Sequence, residues 1–294
     1  MHLAIHNWMK VEPIEVTVKR LAKYGYKSLE IKGEPYSYDT KAVRSLLDQH
    51  GVRCWGSVTL MLDKRNLLAK DEAQRAESVK YVKDCITMIM ELGGEVISVV
   101  PSTVGKIVPD STPASEWVWC VEAMKEINAH GRYCGVKIGV EPINRFETYF
   151  INRGAQAKAL AEAVGPDCGV CLDIFHMNIE EDDPIAAIHE AGDRLVNFHV
   201  ADNNRMACGM GSLDWPAIVE ALRAVGYDGA LSVEFCPPLD RTPADRFPGS
   251  VDETPEGITE SERKFLEDHG SSVFSTEFYD MHVRRSAETL LPLM

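Results

Sequence analysis

Four consecutive apolar segments in the second half of the chain each end in a side chain that can bind a metal ion. The segments are VKIGVEP (136–142), GVCLDIFH (169–176), RLVNFHVAD (194–202) and ALSVEFCPP (230–238), and the side chains are Glu141, Asp173, His199 and Glu234. Three carboxylates and one imidazole suit Mn²⁺, Mg²⁺ or Co²⁺ better than the thiolate ligands typical of structural zinc sites do. These four residues therefore predict one divalent-cation site.

The alternation of side chains along a β-strand favours this site. Residues two apart share a face of the strand, so Glu141 lies with Gly139 and His199 lies with Asn197, while Val140 faces the covering helices. Carboxylates that are buried together repel one another, and a cation offsets that cost. The competing interpretation is that a strand-end carboxylate caps a helix or forms a surface ion pair. Four such residues at equivalent positions favour a shared ligand instead.

Eight short apolar segments alternate with amphipathic helical patterns along the chain. The first four segments are 3–8, 28–33, 52–59 and 95–102, and the helical patterns are 14–25, 40–50, 71–92, 114–134, 154–164, 184–191 and 214–226. Eight strands, each followed by a helix, predict an α/β protein with a (β/α)8 TIM barrel, whose active sites lie at the C-terminal ends of the strands. A doubly wound sheet would carry a glycine-rich turn after its first strand, and HNWMKVEP contains none.

One segment interrupts this alternation. Residues 239–270 are polar, acidic and rich in proline, and they separate the eighth strand from a last helical run at about 274–291. An insertion at this place would lie over the C-terminal face of the barrel or at a subunit interface; disordered decoration is the alternative. We therefore predict a single TIM-barrel domain over residues 1–294 with a loop insertion at 239–270.

The composition argues against several classes of function. The 294 residues carry a formal net charge of −14, which opposes binding to nucleic acid or to a membrane surface and favours a neutral small molecule. The chain lacks an 18-residue apolar stretch and a signal-peptide pattern, so we expect a cytoplasmic protein. The eight scattered cysteines, including both in CGVC (168–171), are expected to be reduced thiols in the core.

Four stretches make the chain similar to the xylose-isomerase-like barrels and, among them, to the ketose 3-epimerases typified by D-tagatose and D-psicose 3-epimerase. The stretches are EPINRFET (141–148), LDIFHMNIEE (172–181), FHVADNNR (198–205) followed by GMGSLDW (209–215), and VEF (233–235). The resemblance implies one divalent ion, usually Mn²⁺ or Co²⁺, bound by the quartet named above, and substrate contacts from Glu147, His176 and Arg205. His6, at the end of the first strand, is a further candidate for the substrate pocket.

The resemblance also implies a reaction and an assembly. An epimerase of this kind removes the proton beside the carbonyl of a keto-sugar, passes through an enediolate and returns a proton to the opposite face. Glu141 and Glu234 would exchange the roles of base and acid, and Glu147 would support Glu141 or contact a substrate hydroxyl. Members of this group are often homodimers or homotetramers.

Other functions stay open at this stage. The loops HNWM, KGEPYSYD and TLMLDKRNLLAKD, after the first three strands, have no specific match in the free-ketose epimerases. A larger substrate such as a 3-keto glycoside is therefore an alternative, and a lyase or deglycosidase would use the same metal site. An endonuclease IV-like nuclease would need more ligands, for three zinc ions, and a basic surface. A non-catalytic sugar-binding subunit would have no need of both Glu141 and Glu234.

Overall fold

Eight parallel strands form a closed barrel in chain order, and β1 pairs with β8 to close it. The computed structural model describes residues 1–238 and 274–294, together with 242, 244, 246, 247, 249, 250, 259, 260, 263 and 264. The strands are β1 His2–His6, β2 Ser28–Gly33, β3 Arg53–Thr59, β4 Val96–Val99, β5 Lys137–Val140, β6 Cys168–Asp173, β7 Leu195–Val200 and β8 Ala230–Val233. The predicted (β/α)8 barrel is confirmed.

Helices follow the strands on the outside of the barrel. They are α1 Ile14–Tyr24, α2 Thr40–His50, α3 Glu72–Leu92, α4 Pro113–Cys134, α5 Gly154–Val164, α6 Ile174–Glu180, α7 Pro184–Ala191, α8 Trp215–Ala224 and α9 Thr276–Leu290. Local signals account for their ends: the Asp39 side chain caps the start of α2, and Gly51 ends it in the left-handed conformation with φ 64°. Helix α6 is the one element of the described chain that the helical patterns do not predict.

Helix α6 begins directly after β6, without a connecting loop. Asp173 is the last residue of β6 and the N-cap of α6, where its Oδ1 accepts a hydrogen bond of 2.8 Å from the backbone N–H of Phe175. The seven residues of this helix continue the apolar character of the strand, so periodicity alone does not separate the two. His176 consequently stands on the first turn of a helix that faces the C-terminal end of the barrel.

The inside of the barrel changes from apolar to polar along its axis. Ala4, Trp55, Val96 and Ala230 form a small cluster of their own, separate from the main core between the strands and the helices. Further along the strands lie wholly buried polar side chains, including those of Glu30, Ser57, Ser98, Asn197 and Ser232. The polar interior therefore leads directly to the strand ends that carry the predicted ligands.

Several other expectations concern the chain as a whole. All eight cysteines are free and seven of them are buried, which agrees with the expected core thiols. Among the residues that the structure describes, no helix is long and apolar enough to span a membrane. Most of the insertion predicted at 239–270 lies outside the described residues, so its place over the barrel or at an interface stays a prediction.

Candidate active site

The four predicted metal ligands meet at the C-terminal end of the barrel. One ligand atom from each of Glu141, Asp173, His199 and Glu234 can be chosen so that all four atoms lie within 4.8 Å of one another. His199 Nδ1 is 2.9 Å from Glu141 Oε1 and 3.5 Å from Glu234 Oε2. None of the four residues is more than 5% exposed. Side chains from β6 and β7 and from just beyond β5 and β8 therefore converge on one buried point.

The cluster fits a divalent cation. Glu141 Oε2 and Asp173 Oδ2 are buried and have no hydrogen-bond partner within the described residues. An unpaired buried carboxylate oxygen is costly, and three neighbouring carboxylates repel one another as well. A divalent ion would remove both costs, and a set of oxygen ligands with one imidazole nitrogen matches the preferences of Mn²⁺, Co²⁺ and Mg²⁺.

Asp173 satisfies two interpretations at the same time. Its Oδ1 caps helix α6, as a strand-end carboxylate is expected to do, while its Oδ2 lies 3.6 Å from His176 Nε2. Because each carboxylate oxygen has its own environment, the helix cap leaves Oδ2 free to act as a ligand. The cap also holds the side chain in one direction, which suits a binding site.

Glu141 and Glu234 have different electrostatic environments. Burial raises the pKa of Glu141 to about 7, although the neighbouring His199 opposes the rise. Burial also acts to raise the pKa of Glu234, but His6 and His199 outweigh it and the net pKa lies below the ordinary value. Two nearby carboxyl groups whose pKa values are pushed apart are a frequent feature of acid–base sites.

A cavity opens above the quartet. Its inner part is lined by Glu141, Glu234, Trp8, Glu147, His176 and Arg205 together with apolar side chains. A wider outer cleft of about 930 Å³ shares Glu147 and Arg205 with the inner part and adds Asp63, Lys106 and Phe146 to the wall. The three residues that the resemblance implies as substrate contacts therefore all line the inner cavity.

Hydrogen bonds link those three residues around the cavity. Glu147 Oε1 accepts from Arg205 Nη1 at 2.9 Å and from Asn144 Nδ2 at 2.8 Å. The backbone N–H of Asn144 also donates to His176 Nδ1 at 3.3 Å. Since Nδ1 accepts, the neutral His176 ring carries its proton on Nε2. The EPINRFET turn thus positions a histidine, an arginine and a carboxylate through Asn144, which the sequence analysis did not single out.

The loop after β7 brings Arg205 into the cavity. Arg205 has a φ of 58°, in the left-handed region that non-glycine residues seldom adopt. The buried Asp202 carboxylate organises this loop by accepting four N–H groups, from the backbones of Asn203, Gly209 and Leu213 and from the indole of Trp215. Gly211 allows the close approach, because a Cβ there would lie 2.1 Å from Asp202 Oδ1.

His6 lies deeper than the cavity. It is wholly buried, and its Nε2 is 3.8 Å from Glu30 Oε2 and 3.9 Å from Glu234 Oε1. Neither ring nitrogen has a hydrogen-bond partner within the part of the chain that the structure describes. His6 thus supports the site from below Glu234, and its contact with a substrate stays a prediction.

Two residues of the site had gone unnoticed in the sequence. Glu30 is wholly buried, and its Oε1 lies 3.2 Å from His199 Nε2. The available signal was a charged residue in the middle of the apolar strand SLEIKG, in register with His6 on β1. Trp8 donates from Nε1 to Glu234 Oε1 at 2.9 Å. An aromatic residue just beyond a strand has no specific signal for such a contact.

The fold and the strand-end cluster define a class: a TIM barrel with a buried carboxylate and histidine site at its C-terminal face. Residues 18–269 match the family described as the xylose isomerase-like TIM barrel, and the chain belongs to that family. It is 30% identical over 230 residues to D-psicose 3-epimerase of Ruminiclostridium cellulolyticum, which covers 74% of this chain and 76% of that protein. The predicted resemblance to the ketose 3-epimerases is confirmed.

Two further comparisons bear on substrate and fold. The chain is 31% identical over 171 residues to 3-dehydro-D-guloside 4-epimerase of Escherichia coli, covering 55% of this chain and 65% of that protein. The structure of D-allulose 3-epimerase from Methylomonas sp. in complex with D-allulose matches with a TM-score of 0.84 at 20% identity, over 100% of this chain and 97% of that one. At that identity the likeness concerns the fold. The relatives named here are all epimerases, and therefore isomerases.

Proposed function

We propose that this protein is a divalent-metal-dependent isomerase that epimerises a ketose or keto-sugar at a carbon next to its carbonyl group. The observation that carries the proposal is the position of Glu141 and Glu234, which meet Asp173 and His199 at the base of a substrate-sized cavity. The names of the relatives, which are epimerases of ketoses and of a 3-keto glycoside, support the same reaction class.

The quartet would hold one divalent cation, for which Mn²⁺ is the first choice and Co²⁺ or Mg²⁺ the alternatives. When bound, the cation supplies Lewis-acid stabilisation of the negative charge that develops on the oxygens of the substrate. The two oxygens without hydrogen-bond partners, Glu141 Oε2 and Asp173 Oδ2, are the natural ligand atoms because a ligand there removes an existing cost.

Glu141 and Glu234 would transfer the protons. They follow β5 and β8, so they reach the cavity from different sides of the barrel mouth. One carboxylate takes the proton from the carbon while the electron pair of that bond stays on the substrate as an enediolate. The other carboxylic acid returns a proton to the opposite face, which inverts the configuration. A Glu141 pKa near 7 suits a group that must act both as acid and as base.

The remaining polar residues of the cavity would bind and orient the sugar. His176, with its proton on Nε2, donates a hydrogen bond, and Arg205 and Glu147 offer a donor and an acceptor on the same wall. Trp8, which contacts Glu234 through its indole N–H, also lines the inner cavity and contributes an apolar surface. Orientation of this kind is worth several kcal/mol of the barrier in enzymes generally.

A 3-keto glycoside is the second candidate substrate, for an epimerase or for a lyase or deglycosidase. The outer cleft of about 930 Å³ favours it, because pockets of about 300–1,000 Å³ hold ligands of drug size and leave room beyond a single sugar ring. Phe146, which is 72% exposed, stands at this cleft and offers a face on which a second ring can stack. The expected assembly as a homodimer or homotetramer, the cytoplasmic location and the absence of a nucleic-acid or membrane partner remain predictions.

Proton exchange in D₂O tests the function. The protein, loaded with Mn²⁺, is incubated with a panel of free ketoses and 3-keto glycosides, and the products are followed by NMR. An epimerase incorporates deuterium at the carbon next to the carbonyl and yields the inverted sugar, whereas a lyase or deglycosidase releases the aglycone. The Glu141→Gln variant is the control for exchange that does not need the site. The proposal fails if no keto-sugar of either class acquires deuterium.

A further inference from the structure

We propose that Glu30 is a positioning residue that holds His199 in the orientation and tautomer required for metal binding, and that Asn197 and Trp55 in turn hold Glu30. This inference deepens the proposed function, since it rests on His199 acting as a metal ligand. It concerns residues of β2, β3 and β7 that line the inside of the barrel beneath the quartet, and it assigns a role to the buried charge of Glu30.

The His199 ring lies between two carboxylates. Its Nδ1 is 2.9 Å from Glu141 Oε1, on the side of the quartet, and its Nε2 is 3.2 Å from Glu30 Oε1, on the side of the barrel interior. Both His199 and Glu30 are wholly buried. The two ring nitrogens therefore have separate partners, and water does not compete for either contact.

Trp55 settles the direction of the hydrogen bonds beneath the ring. An indole N–H is only a donor, and Trp55 Nε1 lies 2.9 Å from the Asn197 Oδ1 atom. That atom must therefore be the amide oxygen, which directs Asn197 Nδ2 towards Glu30. Nδ2 lies 3.0 Å from each carboxylate oxygen of Glu30. The orientation of the Asn197 amide, which is often ambiguous, is determined here by a partner that cannot accept.

The same logic identifies the His199 tautomer. A carboxylate oxygen only accepts, so a lone pair on Nε2 would face a lone pair of Glu30 at 3.2 Å, whereas an N–H there makes a hydrogen bond. With the proton on Nε2, the lone pair of His199 is on Nδ1 and points into the quartet. A carboxylate that accepts the outer N–H of a metal-binding histidine fixes the ring and raises its basicity as a ligand.

Two other groups compete for the same nitrogen. Asn197 Nδ2 and Ser98 Oγ lie 3.1 Å and 3.3 Å from His199 Nε2, and either one would donate to it in the opposite tautomer. The two N–H groups of Asn197 already have acceptors in Glu30 and in Ser98 Oγ, the latter at 3.0 Å. Glu30 is thus the group that decides between the tautomers, because without its charge the two competing donors would favour a proton on Nδ1.

Irregular strand pairing directs the supporting side chains inward. Trp55 is an extra residue of β3 opposite two consecutive residues of β2, and Val196, directly before Asn197, is an extra residue of β7 opposite two consecutive residues of β6. Such bulges redirect a side chain and are frequent beside active sites. Two bulges therefore flank one hydrogen-bonded chain that runs from Trp55 through Asn197 and Glu30 to His199.

The test compares three variants of the full-length protein. Glu30→Gln keeps the shape of the side chain but puts an NH₂ donor within reach of His199 Nε2. Trp55→Phe removes the indole N–H that orients Asn197. Ser28→Ala is the matched control, because Ser28 lies two residues earlier on β2, is wholly buried, and has a hydroxyl without a hydrogen-bond partner in the described chain. Affinity for Mn²⁺ is measured by calorimetry, and the ligand field is followed by the visible absorption of the Co²⁺-loaded protein.

We expect Glu30→Gln to weaken Mn²⁺ binding about 10- to 100-fold and to change the Co²⁺ spectrum. Trp55→Phe should act in the same direction and less strongly, and Ser28→Ala should match the wild type. Equal affinity and an equal spectrum for Glu30→Gln and wild type would overturn the positioning role and leave the proposed function intact. A wild-type protein that binds neither ion would instead contradict the metal dependence of the proposed function. If circular dichroism shows that Glu30→Gln is unfolded, an unchanged Mn²⁺ affinity in Trp55→Phe overturns the inference.

Discussion

Arg205 Nη1 lies 2.9 Å from Glu147 Oε1, where the loop after β7 meets the turn after β5. The guanidinium carbon of Arg205 also lies 4.6 Å from the centre of the Phe175 ring, and the two charged side chains are only 12% and 17% exposed. Both residues line the inner cavity and the outer cleft. This ion pair therefore stands at the boundary that a substrate must cross, and it joins two distant parts of the chain.

The ion pair leads to a prediction about kinetics. Arg205→Lys keeps the charge but loses the planar fork that bonds Glu147 while it packs on Phe175. We expect kcat/KM to fall by a factor that corresponds to about 1.5–3 kcal/mol, the usual value of a hydrogen bond to a charged group. A double-mutant cycle with Glu147→Gln measures the coupling between the two side chains. Arg145→Lys, on the same turn but paired with Glu180 outside the cavity, should leave kcat/KM unchanged. Strictly additive effects of Arg205→Lys and Glu147→Gln would contradict the prediction.

The two glutamates lead to a prediction about catalysis. We expect Glu141→Gln and Glu234→Gln each to lower kcat by at least about 10²–10⁴-fold, because each removes a group that transfers a proton. Both residues are also predicted ligands, so the metal content of each variant is measured beside kcat. Asp173→Asn serves as the comparison, since it weakens metal binding without removing an acid or base, and a higher Mn²⁺ concentration should restore part of its activity. Near-normal kcat in a metal-loaded Glu141→Gln or Glu234→Gln would show that the two-base mechanism is wrong.

Metal affinity should depend on pH. Burial raises the pKa of Glu141 to about 7 in a site where Asp173, Glu234 and His199 face it. Burial alone would lower the pKa of His199, but Cys171, Glu141 and Glu30 outweigh it and the net pKa lies well above the ordinary value. A ligand must lose its proton before it binds a cation. We therefore expect Mn²⁺ affinity to rise steeply up to about pH 7, as Glu141 ionises, and to rise further above it until His199 has released its proton.

Calorimetry at several pH values, in buffers with different ionisation enthalpies, checks this expectation. It yields both the affinity and the number of protons released on binding. More protons should be released per Mn²⁺ below pH 7 than well above it. An affinity that stays constant between pH 5 and pH 8 would rule out a protonated Glu141 in the metal-free site.

The loop that carries Arg205 leads to a prediction about stability. Asp202 accepts four N–H groups with its two oxygens, so Asp202→Asn would place an NH₂ group against donors at a cost of about 1–3 kcal/mol. We expect a lower Tm and, because Arg205 loses its support, a higher KM. Asp214→Asn is the matched control in the same region. Asp214 caps α8 through a single bond to the N–H of Ala217, and asparagine is an equally good N-cap. Equal Tm values for the two variants would contradict a special role of Asp202.

Local patterns were enough to predict most elements of the fold. Helix α2 was predicted at 40–50 and spans Thr40–His50, because its amphipathic period, its aspartate cap and its terminal glycine all lie within one short stretch. Helix α6 was missed, since its seven residues continue the apolar character of β6. The signal that marks its start is the Asp173 cap, and a single aspartate does not reveal in advance which backbone N–H it will bind.

The metal quartet and the barrel were within reach of the sequence by itself, and the network beneath the quartet was decided by the tertiary structure. Glu141, Asp173, His199 and Glu234 each end an apolar run, and parallel strands in a barrel bring their C-terminal ends to one face, so a local rule predicted a long-range meeting. The contacts of Glu30 obey no such rule. It meets His199 and Asn197 across the barrel, from residues more than 160 positions away, and Trp55 reaches Asn197 beside a bulge in strand pairing. Which buried polar groups face one another depends on register and on the closure of the barrel, and neither is written in the pattern of any one strand.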